Sequence, residues 1–316
     1  MVCLFLRVIL SVIILLLLPN NRWRKTKVGK MKRFKKNINV LRNTDEATVG
    51  IIVAVLMVGL ILSVIMFVQT FYVPRWMEQR EAEHMDEVLN QFSLLKFAID
   101  MQILTEQDTP VSTSINLGNK KLPFLKSSNS FGFLGISSNL GINITTTDDN
   151  STRISIGRIT YSSENLYFLD QSFIYEVGAV ITSQSEGNVM SMIPSFEVMY
   201  SNLVVKLTFD AVNILGIGEK ISVSGYGIYP IQTKFSNANI TDITDVQSIT
   251  LDTNYQNAWS MFINSSLSGK GLNEGSDFWI NTTDSGIKIE FASALDVDIT
   301  LKRINIVAKI GPGWIE

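Results

Sequence analysis

The residue types that usually perform acid–base or nucleophilic chemistry are scarce in this chain. Among 316 residues there is one histidine, His84, and one cysteine, Cys3. We expect His84 to lie solvated on the polar face of a helix. Cys3 lies in the first apolar run, so the C-terminal part can form neither an internal disulfide nor a Cys–His or Ser–His–Asp arrangement. The sequence therefore predicts no catalytic residue, no cofactor and a protein that is not an enzyme.

Two acidic pairs carry the oxygen ligands that calcium prefers. Asp148 and Asp149 lie in the polar stretch TTTDDN, and Asp296 and Asp298 lie in LDVDIT. In a strand, residues i and i+2 share one face, so the second pair could converge. Neither pair matches a defined calcium loop, and no two carboxylates are singled out as a glycosidase pair. We interpret both as solvated acidic residues and predict no metal site.

Five asparagines begin the sequence N-x-S/T, the acceptor pattern for N-glycosylation. They are Asn143, Asn150, Asn239, Asn264 and Asn281. All follow Pro74 and lie in polar segments that we expect to be turn-like. The sequence makes them candidate glycosylation sites.

Charge is distributed very unevenly along the chain. Met1–Arg42 contains eleven of the 27 Lys and Arg residues and no Asp or Glu. From Asn43 onward the other 16 basic residues are outnumbered by all 29 acidic residues. Such asymmetry predicts that the two parts meet different surroundings. For the basic stretch we expect anionic lipid headgroups as the partner, and no nucleic acid.

The segment Ala47–Val68 is a predicted membrane span. It reads ATVGIIVAVLMVGLILSVIMFV and contains no charged residue. At about 1.5 Å rise per residue its helix would measure about 33 Å, slightly more than a hydrocarbon core. Gln69, Tyr72 and Trp76 follow it and suit an interfacial belt.

The basic residues of Arg22–Arg42 immediately precede this span. Because Lys and Arg in short flanking loops are retained on the cytoplasmic side, we expect the basic side inside and the chain after Pro74 outside. The predicted location is the cell membrane, with a single main span and the C-terminal domain outside.

The first apolar run, Val2–Leu18, has three interpretations. It could be a second membrane helix interrupted by Arg7, or the apolar region of a signal peptide, for which Pro19 makes a poor cleavage context. It could also precede the true start at Met31, which begins a complete basic leader. These alternatives stay open.

Arg75–Glu106 has the pattern of an amphipathic helix. Met85, Val88, Phe92, Leu95 and Ile99 alternate spacings of three and four, so they form one apolar stripe. Charged residues, including Glu81, occupy the other faces. The stripe could pack on the chain's own β domain or on a neighbouring subunit.

The remainder is predominantly β in pattern. We expect loops with occasional short strands over Thr109–Ser151, which is rich in Ser, Asn, Gly and Thr. Alternating segments follow: RISIGRITY, SFIYEVGAVITS, NLVVKLTFD, KISVSGYGIYPI, SITLD, GIKIEF and DVDITLKRINIVAKI. Tyr255, Trp259 and Ile263 instead predict a short amphipathic helix.

Together these patterns predict an α+β fold, in which a long N-terminal membrane and stalk helix precedes a mostly antiparallel, β-sandwich-like outer domain. The expected divisions are an apolar run and basic cytoplasmic leader (1–46), a transmembrane helix (47–73), an amphipathic stalk helix (74–108) and an extracytoplasmic β-rich domain (109–316).

This order of parts resembles archaeal type IV pilin-like proteins of uncharacterised function. The corresponding segments are MKRFKKNINVLRN, the apolar TDEATVGIIVAVLMVGLILSVIMF, the helix to Glu106 and the β domain. DEATVGIIVAVLMV is similar to the start of such chains. FIYEVGAVITSQSEGNVMSMIPSF and NYQNAW are similar to uncharacterised archaeal surface proteins with this anchor.

The resemblance implies three further features. A leader peptidase would cut within Arg42, Asn43, Thr44, Asp45 and Glu46, although the usual small residue after the basic one is replaced by Asn43. The apolar helices would self-associate in a filament. Glu46 would pair with a neighbour's amino terminus, or would simply be favoured at a helix N-terminus by the macrodipole.

The expected function is that of a membrane-anchored, pilin-like structural or adhesion protein of the cell surface. The alternative is a non-polymerising envelope protein whose β domain binds a partner or glycan. An extracellular hydrolase is the weakest hypothesis.

Overall fold

The computed structural model describes residues 39–118, 131–148, 151–218 and 220–313, with side chains from Val49 onward and except that of Asn139. The first apolar run and most of the predicted leader lie outside the described residues, as do Asp149 and Asn150. The described chain divides into two compact units, one ending at Met77 and one beginning at Glu78.

The first unit is helical. Helix α1 spans Asn39–Phe67, a π-helical turn covers Val68–Tyr72, and helix α2 runs from Val73 to Thr105. The part of α2 from Glu78 onward belongs to the second unit. In the part of the chain that the structure describes, one continuous helical run is long and apolar enough to cross a membrane, and it extends from Val49 to Thr105. No residue in its most apolar stretch is buried by the protein itself. The predicted membrane span is therefore helical, and the described part of the protein leaves its apolar side chains unburied.

A π-helical turn lies just before Pro74. Proline lacks an N–H, and its ring collides with the carbonyl four residues earlier in a regular α-helix. In the turn, the Val73 N–H bonds the Val68 carbonyl, five residues back. The wider π geometry accommodates an irregular bonding pattern of this kind without ending the helix.

Strands dominate the second unit. In chain order they are β1 (Val111–Asn116), β2 (Phe131–Thr146), β3 (Ser151–Glu164), β4 (Gln171–Glu176), β5 (Ala179–Gln184), β6 (Gly187–Met192), β7 (Phe196–Ser201), β8 (Val204–Gly216), β9 (Ser222–Gly225), β10 (Ile228–Ile243) and β11 (Val246–Asp252). Helix α3 (Gln256–Ser268) follows, and then β12 (Phe278–Thr283), β13 (Gly286–Phe291) and β14 (Asp296–Ile310). The predicted helix around Trp259 and every predicted strand segment are confirmed.

The strands form two sheets. The first has five strands in the order β1-β10-β14-β8-β7, and the second has nine, in the order β12-β13-β11-β2-β3-β4-β5-β6 with β9 paired to β2. Most neighbours are antiparallel, as predicted. The exception is β8 with β14, which pair in parallel from Val204↔Asp296 to Gly216↔Ala308.

Two hydrophobic cores fill this domain, and each is closed by one helix. The α2 core buries the predicted stripe of α2 against strand residues. Its strand members are Ile115, Leu134, Ile136, Ile159, Tyr161, Phe173, Tyr175, Val180, Val212, Ile214, Ile231, Phe235, Ile304, Ile306, Ala308 and Ile310. The α3 core buries Ala258, Trp259, Ile263 and Leu267 of α3 against other strand residues. Of the two alternatives for the α2 stripe, packing on the chain's own β domain is the one observed.

The long strands contribute opposite faces to the two cores. Along β14 the buried positions are odd-numbered in Val297–Leu301, which faces the α3 core, and even-numbered in Ile304–Ile310, which faces the α2 core. Because successive strand residues point to opposite faces, this change of parity moves the buried side from one face to the other. The same change occurs in β8 between Ala211 and Val212.

The two sheets are in contact at the point where the buried face of β8 changes from one core to the other. A Cβ added to Gly157 of β3 would lie 1.9 Å from the carbonyl oxygen of Ile214 in β8, so a side chain cannot be accommodated there. The Gly157 N–H donates to Oδ1 of Asn213 (2.8 Å). Asn213 Nδ2 donates to Asn305 (2.7 Å), whose Nδ2 donates to Asn237 (2.6 Å). This asparagine row links three neighbouring strands to the second sheet.

The prediction of loops over Thr109–Ser151 is wrong for β2. This strand is 16 residues long and places Leu134 and Ile136 in one core and Ile142 and Ile144 in the other. Its pairing with β3 shifts register between Ser137 and Leu140. The bulge interrupts the period-2 pattern in a segment already rich in Gly, Ser and Asn, which concealed the strand.

Candidate functional site

His84 is not solvated, and the prediction that it lies on a polar face is wrong. Its side chain is 2% exposed, and Nε2 lies 3.2 Å from the Tyr161 hydroxyl. That hydroxyl also lies 3.2 Å from the Leu117 carbonyl oxygen, to which it donates. Because the Tyr161 hydroxyl hydrogen is donated to Leu117, the hydroxyl oxygen is left to accept a hydrogen bond from Nε2–H of His84. Burial lowers the His84 pKa, while the nearby Glu87 and Glu81 carboxylates and the Leu117 backbone oppose that shift.

Glu81 was also expected on a charged face, and it too is buried. Its Oε1 accepts the Leu166 N–H (3.3 Å), and its Oε2 accepts those of Tyr167 and Phe168 (2.7 Å each). A carboxylate that accepts three backbone N–H groups keeps its charge compensated inside the protein. Glu81 therefore ties α2 to the connection between β3 and β4.

The α3 core contains a buried ion pair. Glu176 of β4 is fully buried and lies directly opposite Arg158 of β3 in the strand register. Trp259 Nε1 donates to Glu176 Oε1 (3.0 Å), and Glu176 Oε2 lies 3.5 Å from Arg158 Nη1, outside hydrogen-bond geometry. Arg158 also lies over the Tyr255 ring, 5.8 Å from its centroid. Burial raises the pKa of Glu176, and the Thr253, Trp259 and Arg158 side chains oppose that shift.

Local backbone geometry brings this cluster together. The turn between β4 and β5 has positive φ at Val177 (53°) and Gly178 (82°), the pattern of a type I′ hairpin turn. A β-branched residue is unfavourable there, at about 1–3 kcal/mol, but the Val177 side chain is buried in the α3 core. Asn188 Oδ1 of β6 accepts the Ala258 N–H (2.8 Å) and so supplies a partner at the first turn of α3.

This cluster lacks the geometry of an acid–base site. Glu176 has no exposed surface through which a substrate could reach it, and the group beside it is a cation. The α3 core also holds a cavity of about 30 Å³, lined entirely by apolar side chains such as Trp259 and Phe196. An apolar cavity of that size stays dry and offers no polar contact to a ligand. The buried pair is best explained as a structural element that fixes α3.

The predicted acidic pairs lie at the surface. Asp296 is exposed and Asp298 half-buried at the start of β14, where Asp298 lies opposite Lys206 of β8. Asp148 is exposed in a turn, and Asp149 lies outside the described residues. Within the described ranges, no three His, Cys, Asp or Glu side chains are grouped so that they could hold a metal ion.

The sequon asparagines lie in regular structure, contrary to the expectation of turns. Asn143, Asn239 and Asn281 are on strands, Asn264 is on α3, and Asn150 is not described. Asn264 Nδ2 donates to Glu274 (2.6 Å), and Asn281 Nδ2 donates to Glu290 (2.9 Å). Asn143 is half-buried, whereas Asn239 is exposed in β10. Asn281 is exposed in β12 as well, so Asn239 and Asn281 are the two exposed asparagines among the four described.

The predicted cleavage region lies within α1. Arg42, Asn43, Thr44, Asp45 and Glu46 follow the start of this helix at Asn39, so their backbone is helical. The helix thus begins before the predicted boundary of the leader.

Sequence reasoning missed a second stripe on α2. Leu94, Phe97, Met101 and Leu104 are all exposed, at spacings of three, four and three. A groove of about 330 Å³ lies beside them, lined by α2 residues including Phe97 and Met101 and by the segment that leads to Val111. Spacing of this kind is that of the a and d positions of a coiled-coil seam. We call these four residues the outer stripe; the signal for it was present in the sequence.

Comparison with family models gives one match. A model described as "Family of unknown function (DUF7289)" matches residues 48–277, which include α1 from its tenth residue, α2, β1–β11 and α3. Comparisons with curated proteins and with solved structures found no match.

Proposed function

The chain belongs to DUF7289, a family of unknown function, and we propose from its own residues that it is a membrane-anchored, pilin-like protein of the cell surface. Its role in this proposal is structural or adhesive, with the β domain outside the cell. The observation that carries the proposal is α1, whose apolar side chains from Val49 onward are not buried by any described residue. Such a surface needs a lipid or protein environment.

Orientation is supported by charge. Ten basic residues lie in Arg22–Arg42, immediately before the apolar segment, and the chain from Asn43 onward is strongly acidic. The positive-inside tendency then places the β domain on the outer face. The exposed asparagines Asn239 and Asn281 are the described sequon residues proposed for glycosylation there.

Pilin-like assembly is supported by the anchor's resemblance to archaeal type IV pilin-like proteins and by the outer stripe. The apolar helices and the outer stripe give two surfaces on which copies of the chain could associate. A leader peptidase would act first, within Arg42–Glu46. The partners proposed are therefore the bilayer, that peptidase and further copies of the chain.

One observation favours a second candidate function, a non-polymerising envelope protein whose β domain binds a partner or glycan. The stripe from Met85 to Ile99, which a neighbouring subunit could have covered, is already covered by the chain's own strands. In this case the anchor is permanent and the leader is retained.

The mature N-terminus distinguishes the two. It should be determined by mass spectrometry of the protein purified from native membranes. A start between Asn43 and Ala47 is the expected result for leader processing and pilin-like assembly. A start at Met1 or Met31, with the basic segment intact, contradicts the filament and leaves the permanently anchored form.

A further inference from the structure

The connection between β3 and β4 presents an apolar surface. It comprises Asn165–Asp170, with the sequence NLYFLD, and we call it the NLYFLD loop. Leu166 is 64% exposed and Leu169 is 55% exposed, while Tyr167 and Phe168 between them are half-buried. Single exposed leucines are common on protein surfaces, but here two lie within four residues of one short loop.

The loop is held in this shape by hydrogen bonds. The Glu81 carboxylate accepts the backbone N–H groups of Leu166, Tyr167 and Phe168. The Asn165 N–H donates to Asp170 Oδ1, and Asn165 Nδ2 donates to the Leu169 carbonyl oxygen, both at 2.8 Å. Because six residues are fixed by five bonds, the two leucines are held outward and cannot fold back to cover themselves.

Chain length limits how far this loop can be from a bilayer. The argument rests on the proposed membrane anchor, with Trp76 at the interfacial belt. Glu81 follows Trp76 by five residues, a segment that spans at most about 17 Å whatever its course. The polar headgroup layer is itself about 5–8 Å thick on each side. The loop that Glu81 holds therefore lies within reach of the outer headgroup layer.

Charge indicates how the loop would meet lipid. The exposed charged residues at its ends are Glu164 and Asp170, both acidic, so the loop's own charge does not favour anionic headgroups. Leucine, tyrosine and phenylalanine instead suit the boundary between headgroups and acyl chains. Contact through them depends on apolar burial and is insensitive to salt.

We propose that the NLYFLD loop inserts Leu166 and Leu169 into the outer lipid surface, as a second membrane contact of the chain. The contact holds the β domain at a fixed level on the bilayer. Glu81 acts as its positioning residue, because its three hydrogen bonds fix the loop.

Depth-dependent fluorescence quenching tests this contact. The full chain carrying Cys3→Ser and one of Leu166→Cys or Leu169→Cys is labelled with an environment-sensitive fluorophore and reconstituted into phosphatidylcholine vesicles. Leu60→Cys in α1 is the reference for lipid contact. Met261→Cys, 66% exposed on α3, is the matched control for an exposed apolar residue elsewhere in the domain.

The expected result is a blue-shifted emission at positions 166 and 169, quenched at least two-fold by lipids spin-labelled near the headgroup, with position 261 unchanged. The result should be the same with anionic lipid and at high salt. If positions 166 and 169 behave like 261 while Leu60→Cys is quenched, the loop contact is overturned and the anchor stands. If Leu60→Cys is also unquenched, the anchor itself fails, and the loop contact with it. Shielding from aqueous iodide that grows with the protein-to-lipid ratio, without lipid quenching, would identify a second copy as the occupant instead.

Discussion

The α2 core and the α3 core are built on opposite faces of the same long strands, yet their buried polar groups differ in hydrogen bonding. In the α2 core His84 bonds a tyrosine, and Glu81 beside it accepts three backbone N–H groups. In the α3 core Glu176 accepts a hydrogen bond from Trp259 and lies 3.5 Å from the Arg158 cation. Burial shifts the pKa of His84 down and that of Glu176 up, so both neutral forms are favoured. The comparison teaches that one domain contains two buried titratable groups with opposite responses to pH.

Truncating the largest buried side chain of each helix tests whether the cores are independent. Phe92 and Trp259 are both fully buried, and we expect Phe92→Ala and Trp259→Ala each to lower the free energy of unfolding by about 3–5 kcal/mol. Because both cores share β3, β8 and β14, each variant should shift one common transition. Urea unfolding of the full chain in detergent, followed by circular dichroism, measures this. A variant that splits the curve into two transitions would contradict the shared-strand interpretation.

The pH dependence of stability separates the two buried groups. A folded-state pKa of His84 below 6.5 stabilises the fold above pH 6.5, and that stability is lost as pH falls below it. A folded-state pKa of Glu176 above 4.5 stabilises the fold below pH 4.5, and that stability is lost as pH rises through the raised pKa. Between pH 4.5 and 6.5 the two contributions therefore oppose each other where their titrations overlap.

Replacing one of the two groups should leave the pH dependence of the unfolding free energy that the other group causes. His84→Gln should remove the loss on acidification, and Glu176→Gln should remove the loss on raising the pH above 4.5. Each change in slope is at most about 1.4 kcal/mol per pH unit, the limit for one proton. Urea midpoints at half-unit intervals from pH 4 to 8 measure it. Parallel curves for the wild type and both variants would show that neither group titrates with folding.

The smallest effect on stability is expected at the outer stripe. Phe97 is exposed on the same helix that buries Phe92, so Phe97→Ser should change the free energy of unfolding by no more than about 0.5 kcal/mol. Leu104→Ser should behave alike. If copies associate through this stripe, energy transfer between differently labelled copies in vesicles should fall in both variants. A destabilisation comparable to that of Phe92→Ala would mean that the outer stripe is part of the fold instead.

The sequence pattern predicted the elements in which apolar residues recur at a regular spacing over several helical turns or strand residues. The uncharged segment before Pro74, the stripe from Met85 to Ile99 and the helix around Trp259 are long enough for their periods to be read. β2 was missed because its bulge between Ser137 and Leu140 changes the phase of the alternation.

The buried polar groups were harder to predict. Glu81 and His84 precede Met85 and Val88 by four residues each, so they continue the buried stripe by spacing. Their polarity argued for exposure, and only the tertiary partners Tyr161 and the NLYFLD loop reverse that expectation. The pairing of Arg158 with Glu176 depends on the register of β3 with β4, which the sequence pattern does not specify. The positive φ of Val177 could not be predicted either, because valine disfavours that conformation.

The parallel pairing of β8 with β14 has a consequence for how the chain is delivered. β14 is the last strand in the described chain, yet it lies at the centre of the five-stranded sheet, between β10 and β8. Residues 217–295 separate its start from the end of β8, and such distant pairing closes slowly. The α3 core is incomplete until Leu301 has emerged and the α2 core until Ile310 has emerged, because β14 lines both of them. In the proposed orientation both cores can therefore be completed only after β14 has crossed the membrane.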